Sequence, residues 1–317
     1  MKIEVQNITK YYGKHKALDN ISFSLGSGEI LGFLGPNGAG KSTTMNIITG
    51  YISSDAGSVK IDGIDILDNP KDAKKKIGYL PEVPPLYNDM TVRKYLEFIF
   101  DLKKVRLPKK EHINEICSMV KITDVKDRII KHLSKGYRQR VGFAQALVGD
   151  PPFLILDEPT AGLDPLQIIE IRKLIKELGK KHTIILSSHV LSEVQSVCDK
   201  IIIINNGKIA ADDFTNKLTR SGKSTNRIKL TVEGREKTVY GILKNIDGVS
   251  NVRNNGESEN GCCEFVIESK KDVRRPVYRA LSKTDCAILA MIPMELSLEE
   301  TFLDIISGKY NEKGDDN

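Results

Sequence analysis

An eight-residue glycine-rich run, Gly35-Pro36-Asn37-Gly38-Ala39-Gly40-Lys41-Ser42, constrains this chain more than any other feature. Such a run binds phosphate only where a strand enters it and a helix leaves it, and the flanking patterns predict that context. Glycines let backbone N–H groups wrap phosphate oxygens, while the helix N-terminus adds positive potential. We therefore predict a nucleotide site here that includes Thr43, with Lys41 reaching the β- and γ-phosphates and Ser42 binding Mg²⁺.

A second segment, Phe153-Leu154-Ile155-Leu156-Asp157-Glu158, has the pattern of a buried strand that ends in two carboxylates. The glycine-rich loop alone leaves GTPases, kinases and ATPases open. A strand end beside the phosphates predicts that Asp157 supports magnesium and that Glu158 orients or deprotonates the attacking water. The chain has no Asn-Lys-x-Asp guanine motif, because Asn216-Lys217 continues with Leu218-Thr219.

The order of periodic segments predicts an α/β fold with two domains. Strand patterns at Phe153–Leu156 and Thr183–Leu186 flank a helical pattern at Asp164–Lys181, which indicates a parallel sheet. Antiparallel strands precede it, and a helical subdomain is expected at about 88–150. This first domain spans 1–220. A β-α-β-β-α-β order typical of ferredoxin-like domains follows over 225–309, and 310–317 is expected to be a frayed tail.

Composition excludes several other classes. The 317 residues contain no apolar run of the roughly 20 residues that a spanning helix needs. The beginning of the chain has no signal-peptide pattern, so we expect a cytoplasmic location. The five cysteines include no C-x-x-C pair, which argues against a disulfide framework or a zinc site. The net charge is only +6, and no basic run is interleaved with aromatic residues, so we expect no nucleic-acid partner.

The segment Leu133-Ser134-Lys135-Gly136-Tyr137, together with the motifs above, resembles the ATP-binding cassette (ABC) transporter ATPases. Their signature usually reads Leu-Ser-Gly-Gly-Gln, so Lys135 and Tyr137 are departures. The resemblance implies the P-loop NTPase fold of an ABC cassette. It also implies that Ser134 and Gly136 cap the γ-phosphate of an ATP molecule held by a second cassette.

Further motifs of this family are present along the first 215 residues. Tyr12 resembles the aromatic residue that stacks on adenine, and Asp164 ends a stretch, Ala161-Gly162-Leu163-Asp164, that resembles the D-loop. His189 resembles the switch histidine that contacts the γ-phosphate. The resemblance therefore implies nucleotide contacts for Tyr12, Asp164 and His189.

One position departs from the family in charge. Glu82 lies where these ATPases normally have a glutamine that contacts magnesium or the attacking water. A glutamate can still bind Mg²⁺ or accept a hydrogen bond from water, but it repels phosphate unless a cation intervenes. We therefore expect weak ATP binding without magnesium. Glu82, the altered signature and the C-terminal extension together resemble the ABC-2 exporter type.

The mechanism implied by the resemblance is a head-to-tail dimer, most simply a homodimer, that holds two ATP molecules. Closure would pull on a separate transmembrane permease, which would hold the chain at the inner face of the cell membrane, and hydrolysis would reopen the dimer. One alternative is a soluble ABC ATPase that acts on ribosomes or DNA, although the chain has one cassette and no sustained heptads. Another alternative is a non-hydrolysing, nucleotide-dependent regulator, against which Glu158 and His189 argue.

Overall fold

The computed structural model describes residues 2–214, 226–258, 262–294 and 302–303. The chain divides into two compact units, Met1–Thr215 and Asn216–Asn317. Each unit has its own sheet and apolar core, so each is described by itself.

The first unit alternates strands and helices after an N-terminal β-hairpin. Its elements are β1 (Ile3–Tyr12), β2 (His15–Leu25), β3 (Ile30–Leu34), α1 (Lys41–Ile48), β4 (Ala56–Ile61), β5 (Ile64–Asp65), α2 (Pro70–Lys75), β6 (Ile77–Leu80), α3 (Val92–Leu102), α4 (Lys109–Met119), α5 (Lys135–Leu147), β7 (Phe153–Asp157), α6 (Pro165–Gly179), β8 (Thr183–Ser188), α7 (Leu191–Val197), β9 (Lys200–Asn205) and β10 (Lys208–Phe214).

Two sheets form the core of this unit. The larger has the order β10-β9-β3-β8-β7-β6, with parallel pairing except between β9 and β10. The smaller is antiparallel, with the order β2-β1-β4-β5. Every residue of β3, β7 and β8 is buried, which explains their continuous apolar sequences. Apolar side chains of both sheets and of α1 share one buried cluster.

Helix α7 packs on β3 with no space between them. A methyl group at Gly32 would lie 2.1 Å from Val194 Cγ1 and 3.0 Å from Cys198 Sγ. Only glycine fits this position without moving the helix. The close contact fixes α7 beside the strand that enters the glycine-rich loop.

Helices α3, α4 and α5 form the helical part of the unit. Thr91 and Ser134 accept backbone N–H bonds as N-caps of α3 and α5. Helix α3 ends at Leu102, with Lys103 as its C-cap. The chain leaves the helix through Lys104 in a left-handed conformation (φ 51°), while the Lys103 side chain donates to backbone carbonyls near the end of α5.

The second unit has the order β11 (Asn226–Glu233), α8 (Glu236–Lys244), β12 (Val249–Ser258), β13 (Cys262–Ser269), α9 (Arg274–Leu281) and β14 (Ala287–Met294). All strand pairs are antiparallel, in the order β12-β13-β11-β14. This is the ferredoxin-like arrangement. Its core is the inner face of the sheet packed against both helices, through residues such as Leu230, Val239 and Phe265.

The expected frayed tail at 310–317 lies outside the described residues. Within the part of the chain that the structure describes, no helix is both long and apolar enough to span a bilayer. None of the five cysteines, all of which lie in the described part of the chain, forms a disulfide bond.

Candidate nucleotide-binding site

The carboxyl ends of parallel strands bring the predicted motifs to one edge of the larger sheet. Leu34 of β3 pairs with Ser188 of β8, and Asp157 of β7 pairs with Ser187. The glycine-rich loop, the two carboxylates and His189 therefore leave the sheet side by side. Such an edge is where open α/β sheets bind ligands.

The loop before α1 is shaped by backbone constraints at its last glycine. Gly40 has φ 110°, and a methyl group there would lie 2.6 Å from Leu18 Cδ2 and 3.0 Å from the Ala17 carbonyl oxygen. Lys41 is buried and its Nζ donates to the carbonyls of Gly35 (2.8 Å) and Pro36 (3.2 Å). The loop thus encloses the ammonium group that the sequence predicts to contact phosphates.

Asp157 is 3% exposed and accepts hydrogen bonds from two hydroxyls. Ser42 Oγ donates to Asp157 Oδ1 at 3.3 Å, and Ser187 Oγ donates to the same oxygen. Tyr79 lies on the neighbouring strand β6. Its pKa is raised mainly by burial and secondarily by the negative charge of Asp157. One carboxylate beside one hydroxyl suits Mg²⁺, which prefers hard oxygen ligands and takes others from phosphates and water.

The described residues contain no group of three or more His, Cys, Asp or Glu side chains with metal-site geometry. The donors at Ser42 and Asp157 therefore fit a cation that is held largely by the nucleotide rather than by a protein cage.

Glu158 lies between the buried lysine and the predicted switch histidine. Its Oε1 is 3.6 Å from Lys41 Nζ, and its Oε2 is 2.9 Å from His189 Nδ1. The residue has φ 46°, a left-handed conformation that is uncommon outside glycine. Its N–H donates to the carbonyl (3.2 Å) and the hydroxyl (3.0 Å) of Ser187, which hold the turn in place.

A cavity of about 500 Å³ opens over these groups. Ten of the predicted residues line it: Tyr12, Asn37, Gly38, Gly40, Lys41, Ser42, Thr43, Glu82, Glu158 and His189. Gly35, Pro36, Ala39 and Asp157 do not line the cavity and belong to the loop and strand that carry those residues. Tyr12 is 51% exposed, so its ring is accessible for stacking.

The structure places the predicted signature residues elsewhere. Ser134 caps α5, and Gly136 packs against Gln167 of α6. Asp164 accepts the Gln167 N–H at 3.0 Å as the N-cap of α6. Ser134, Gly136 and Asp164 are not among the residues that line the 500 Å³ cavity.

The two residues that depart from the usual signature, Tyr137 and Lys135, have different surroundings. The Tyr137 hydroxyl donates to Asp124 at 2.9 Å, within the helical part of the same chain. Lys135 lines a second cavity of about 350 Å³ together with Arg138, Glu82 and Ala161. Glu82 and Ala161 line both cavities, so the two cavities are neighbours.

Sequence reasoning missed several residues of the site. His15 and Ala17 also line the 500 Å³ cavity, as does Ala161 of the stretch that resembles the D-loop. His15 pairs with Tyr12 across the β1–β2 hairpin, a register that the sequence does not encode in any motif. Gln139 Nε2 donates to the Pro159 carbonyl at 2.9 Å and links α5 to the turn after Glu158. The signal available for Gln139 was its position in the helix after the signature.

The chain matches the family model for ABC transporters over residues 18–161. It is 39% identical to the bacitracin transport ATP-binding protein BcrA of Bacillus licheniformis over 209 residues, which cover 65% of this chain and 68% of BcrA. It is 31% identical to the uncharacterized ABC transporter ATP-binding protein YdbJ of Bacillus subtilis over 317 residues, which cover 99% and 98% of the two chains.

Among solved structures, the dimeric bacterial ABC transporter cassette MJ0796 superimposes with a TM-score of 0.62 at 27% identity, covering 67% of this chain and 98% of that one. The same cassette is also known as a dimer in a post-hydrolysis state bound to ADP and Pi. The predicted α/β fold class and the resemblance drawn from the signature are both confirmed. The chain therefore belongs to the ABC transporter ATP-binding proteins, a family of ATP-binding and ATP-hydrolysing transporter subunits.

Proposed function

We propose that two copies of this chain form a head-to-tail dimer that hydrolyses two ATP molecules and thereby drives an exporter of the ABC-2 type. The observation that carries the proposal is the position of Glu158, with one carboxylate oxygen 3.6 Å from Lys41 Nζ and the other 2.9 Å from His189 Nδ1. A carboxylate between a phosphate-binding lysine and a histidine is placed to act on water next to the terminal phosphate.

In the proposed reaction, Lys41 binds the β- and γ-phosphates, and Ser42 and Asp157 hold Mg²⁺. The magnesium ion, when bound, neutralises charge that develops on the phosphate oxygens. Glu158 accepts a proton from the attacking water or orients it, and His189 contacts the γ-phosphate. Tyr12 stacks on adenine at the mouth of the cavity. Glu82 contacts magnesium or the water from its own side of that cavity.

The signature of the second copy completes each site. Ser134 and Gly136 do not line the cavity that contains Lys41, and they begin a 13-residue helix whose N-terminus suits a phosphate group. In the head-to-tail arrangement they cap the γ-phosphate bound by the other chain, and Asp164 communicates between the two sites.

The exporter assignment rests on Glu82, the Leu133–Tyr137 signature and the similarity to a bacitracin transport protein. The chain would then be held at the inner face of the cell membrane through its permease. The surface around Glu82 and the helical segment from about 90 to 130 would transmit closure to that permease. The second unit extends this cassette and has no assigned role.

The decisive experiment measures oligomeric state by light scattering on the Glu158→Gln variant, with and without Mg-ATP, beside phosphate release by the wild type. We expect the wild type to release phosphate and the variant to be inactive. We also expect ATP to convert the variant from monomer to dimer, because ATP binding persists while the water is no longer activated.

A matched control is Glu177→Gln, which alters an exposed carboxylate of α6 that pairs with Lys180. This variant should turn over ATP like the wild type and should not accumulate a dimer. A wild type that binds ATP but releases no phosphate would contradict the proposal and favour a nucleotide-dependent regulator.

A further inference from the structure

Glu193, in the first turn of α7, is a buried carboxylate that the reaction described above does not use. It is 7% exposed. Its Oε2 accepts hydrogen bonds from Thr160 Oγ1 at 2.6 Å and from Ser188 Oγ at 2.9 Å. These are two different segments of the chain, joined through a single oxygen atom.

Both hydroxyls lie next to the groups proposed to perform hydrolysis. Thr160 is two residues after Glu158 in the turn that follows β7, and Ser188 directly precedes His189 at the end of β8. The Ser188 hydroxyl also accepts the Val190 N–H at 3.0 Å, so it has no freedom to turn away. Glu193 therefore connects the segment that carries Glu158 to the segment that carries His189.

Stability alone is a poor explanation for this carboxylate. Burying a charge is costly unless a well-placed partner compensates it. The ion-pair partner that the structure gives Glu193 is Arg172, whose Nη2 is 4.0 Å from Oε1, at the outer limit of an ion pair. Arg172 Nε is itself buried without a hydrogen-bond partner among the described atoms. Helix α7 is already held by the packing of Val194 on Gly32.

Glu158 has a particular need for such support. Its φ of 46° is unfavourable for a residue with a side chain, and such a conformation persists only where the surroundings over-determine it. Ser187 fixes its N–H, and the Ala161 N–H donates to its carbonyl at 3.0 Å. The Thr160–Glu193 bond adds an anchor on the far side of the turn.

We propose that Glu193 is a positioning residue for ATP hydrolysis, which holds Glu158 and His189 in contact through Thr160 and Ser188. The inference rests on the proposed function and deepens it. Glu193 is not among the residues that line the 500 Å³ cavity. Its effect is on the geometry of the Glu158–His189 pair, so it concerns the rate of hydrolysis rather than the affinity for ATP.

The test compares Glu193→Ala with Glu193→Gln in the full chain. We expect Glu193→Ala to lower kcat about 10- to 100-fold, the usual loss when a supporting hydrogen bond behind a reacting group is removed, with little change in KM or in the Kd for Mg-ATP. Glu193→Gln should recover most of the rate, because its amide oxygen can accept both hydroxyl bonds. Thr160→Val and Ser188→Ala should each reproduce part of the loss.

Two controls separate positioning from general destabilisation. His112→Ala removes another buried hydrogen bond, from the Gly149 N–H to Nε2 at 3.0 Å, in the helical part of the unit. It should lower Tm without changing kcat at a temperature well below unfolding. In the Glu158→Gln background, Glu193→Ala should leave the ATP-driven dimer intact.

The inference is overturned if Glu193→Ala retains the kcat of the wild type, if Glu193→Gln is as slow as Glu193→Ala, or if KM rises in proportion to the loss of kcat. Those results would leave the proposed function standing, because the wild type would still hydrolyse ATP. Failure of the wild type to release phosphate would instead remove the proposed function itself.

Discussion

Glu82 and Glu158 both line the 500 Å³ cavity, so the cavity contains two carboxylates. Lys41 lines the same cavity. At an effective dielectric constant of about 20, two like charges 4–8 Å apart repel by roughly 2–4 kcal/mol. Glu82 is exposed, and solvent and salt reduce this repulsion further. A divalent cation between the carboxylate and the phosphates would reverse this effect, so we expect Glu82 to make ATP binding depend on magnesium.

The Glu82→Gln variant measures that dependence. We expect its affinity for ATP in the presence of EDTA to rise roughly three- to tenfold, since the repulsion of an exposed carboxylate is partly screened. With Mg²⁺ in excess the gain should shrink or vanish. Titration of a fluorescent ATP analogue under both conditions gives the two dissociation constants.

Glu111→Gln supplies the matched control, because it removes an exposed carboxylate from the first turn of α4, outside either cavity. This variant should bind ATP like the wild type under both conditions. Equal affinities for the wild type and Glu82→Gln in EDTA would show that Glu82 exerts no charge on the phosphates.

Among individual site residues, the sequence predicted those that belong to short contiguous motifs. The glycine-rich loop, Asp157-Glu158 and His189 could be found because each motif carries its chemistry within a few positions. The contacts of Glu193 could not be found in the same way. They join residues 5 and 33 positions apart through a carboxylate that looks like an ordinary helix residue. Only the pairing of β7 with β8 brings those segments together.

Among the secondary-structure elements, the end of α5 is held by a lysine from α3. Lys103 Nζ donates to the Val148 carbonyl at 2.9 Å and to the Gln145 carbonyl at 3.5 Å. A cation at a helix C-terminus satisfies carbonyl groups that have no partner within the helix. Burial lowers the pKa of Lys103 from 10.5 to about 8, because desolvation disfavours the charged ammonium group.

This shift gives stability a defined pH dependence. Between pH 8 and pH 10 the unfolded chain still binds the Lys103 proton while the folded chain has lost it. The free energy of unfolding therefore rises with pH in that window, by roughly 1–2 kcal/mol from this lysine. In Lys103→Met the contribution should disappear, so the stability of the wild type relative to this variant should increase from pH 8 to pH 10. Urea unfolding at several pH values measures it.

Lys94→Met, an exposed lysine on the same helix α3, provides the comparison. Its stability relative to the wild type should be the same at pH 8 and pH 10. A constant difference between the wild type and Lys103→Met across that range would contradict a lowered pKa for Lys103.

Periodicity predicted the buried parallel strands and missed the short helix α7. The strands β3, β7 and β8 are continuous apolar runs, which mark buried parallel strands. Helix α7 has seven residues, too few for a helical period to stand out. Its position follows from a contact with Gly32, more than 150 residues earlier, and the sequence alone does not show that contact.

At the scale of the whole molecule, one chain does not bring its phosphate loop and the signature residues Ser134 and Gly136 into the same cavity. Lys41 lines the larger cavity, whereas Ser134 and Gly136 do not. In the proposed dimer each site takes its loop from one chain and its signature from the other. Two chains with different defects should therefore be able to complement each other.

Mixing Lys41→Ala with Ser134→Asp tests this arrangement. Aspartate still caps α5 but places a negative charge where the γ-phosphate would lie, so each variant alone should be inactive. In an equal mixture half of the dimers are mixed and each has one intact site, so we expect about one quarter of the wild-type phosphate release if the sites act independently.

The control mixture combines Lys41→Ala with a chain carrying both changes. No dimer in that mixture contains an intact site, so it should remain inactive. A mixture of the two single variants that stays equally inactive would contradict independent sites shared between copies of this chain.

The register between β7 and β8 places Asp157 opposite Ser187, and the hydroxyl of Ser187 bonds both the Asp157 carboxylate and the Glu158 N–H. Successive side chains of a strand point to opposite faces, so gaining or losing one residue in β7 would turn Asp157 to the other face and shift Glu158 out of its present turn. Repacking can absorb a substitution in β7, whereas an insertion or deletion there moves the magnesium ligand and the proposed base together. We expect the evolutionary descendants of this chain to vary the apolar residues of β7 while keeping its length.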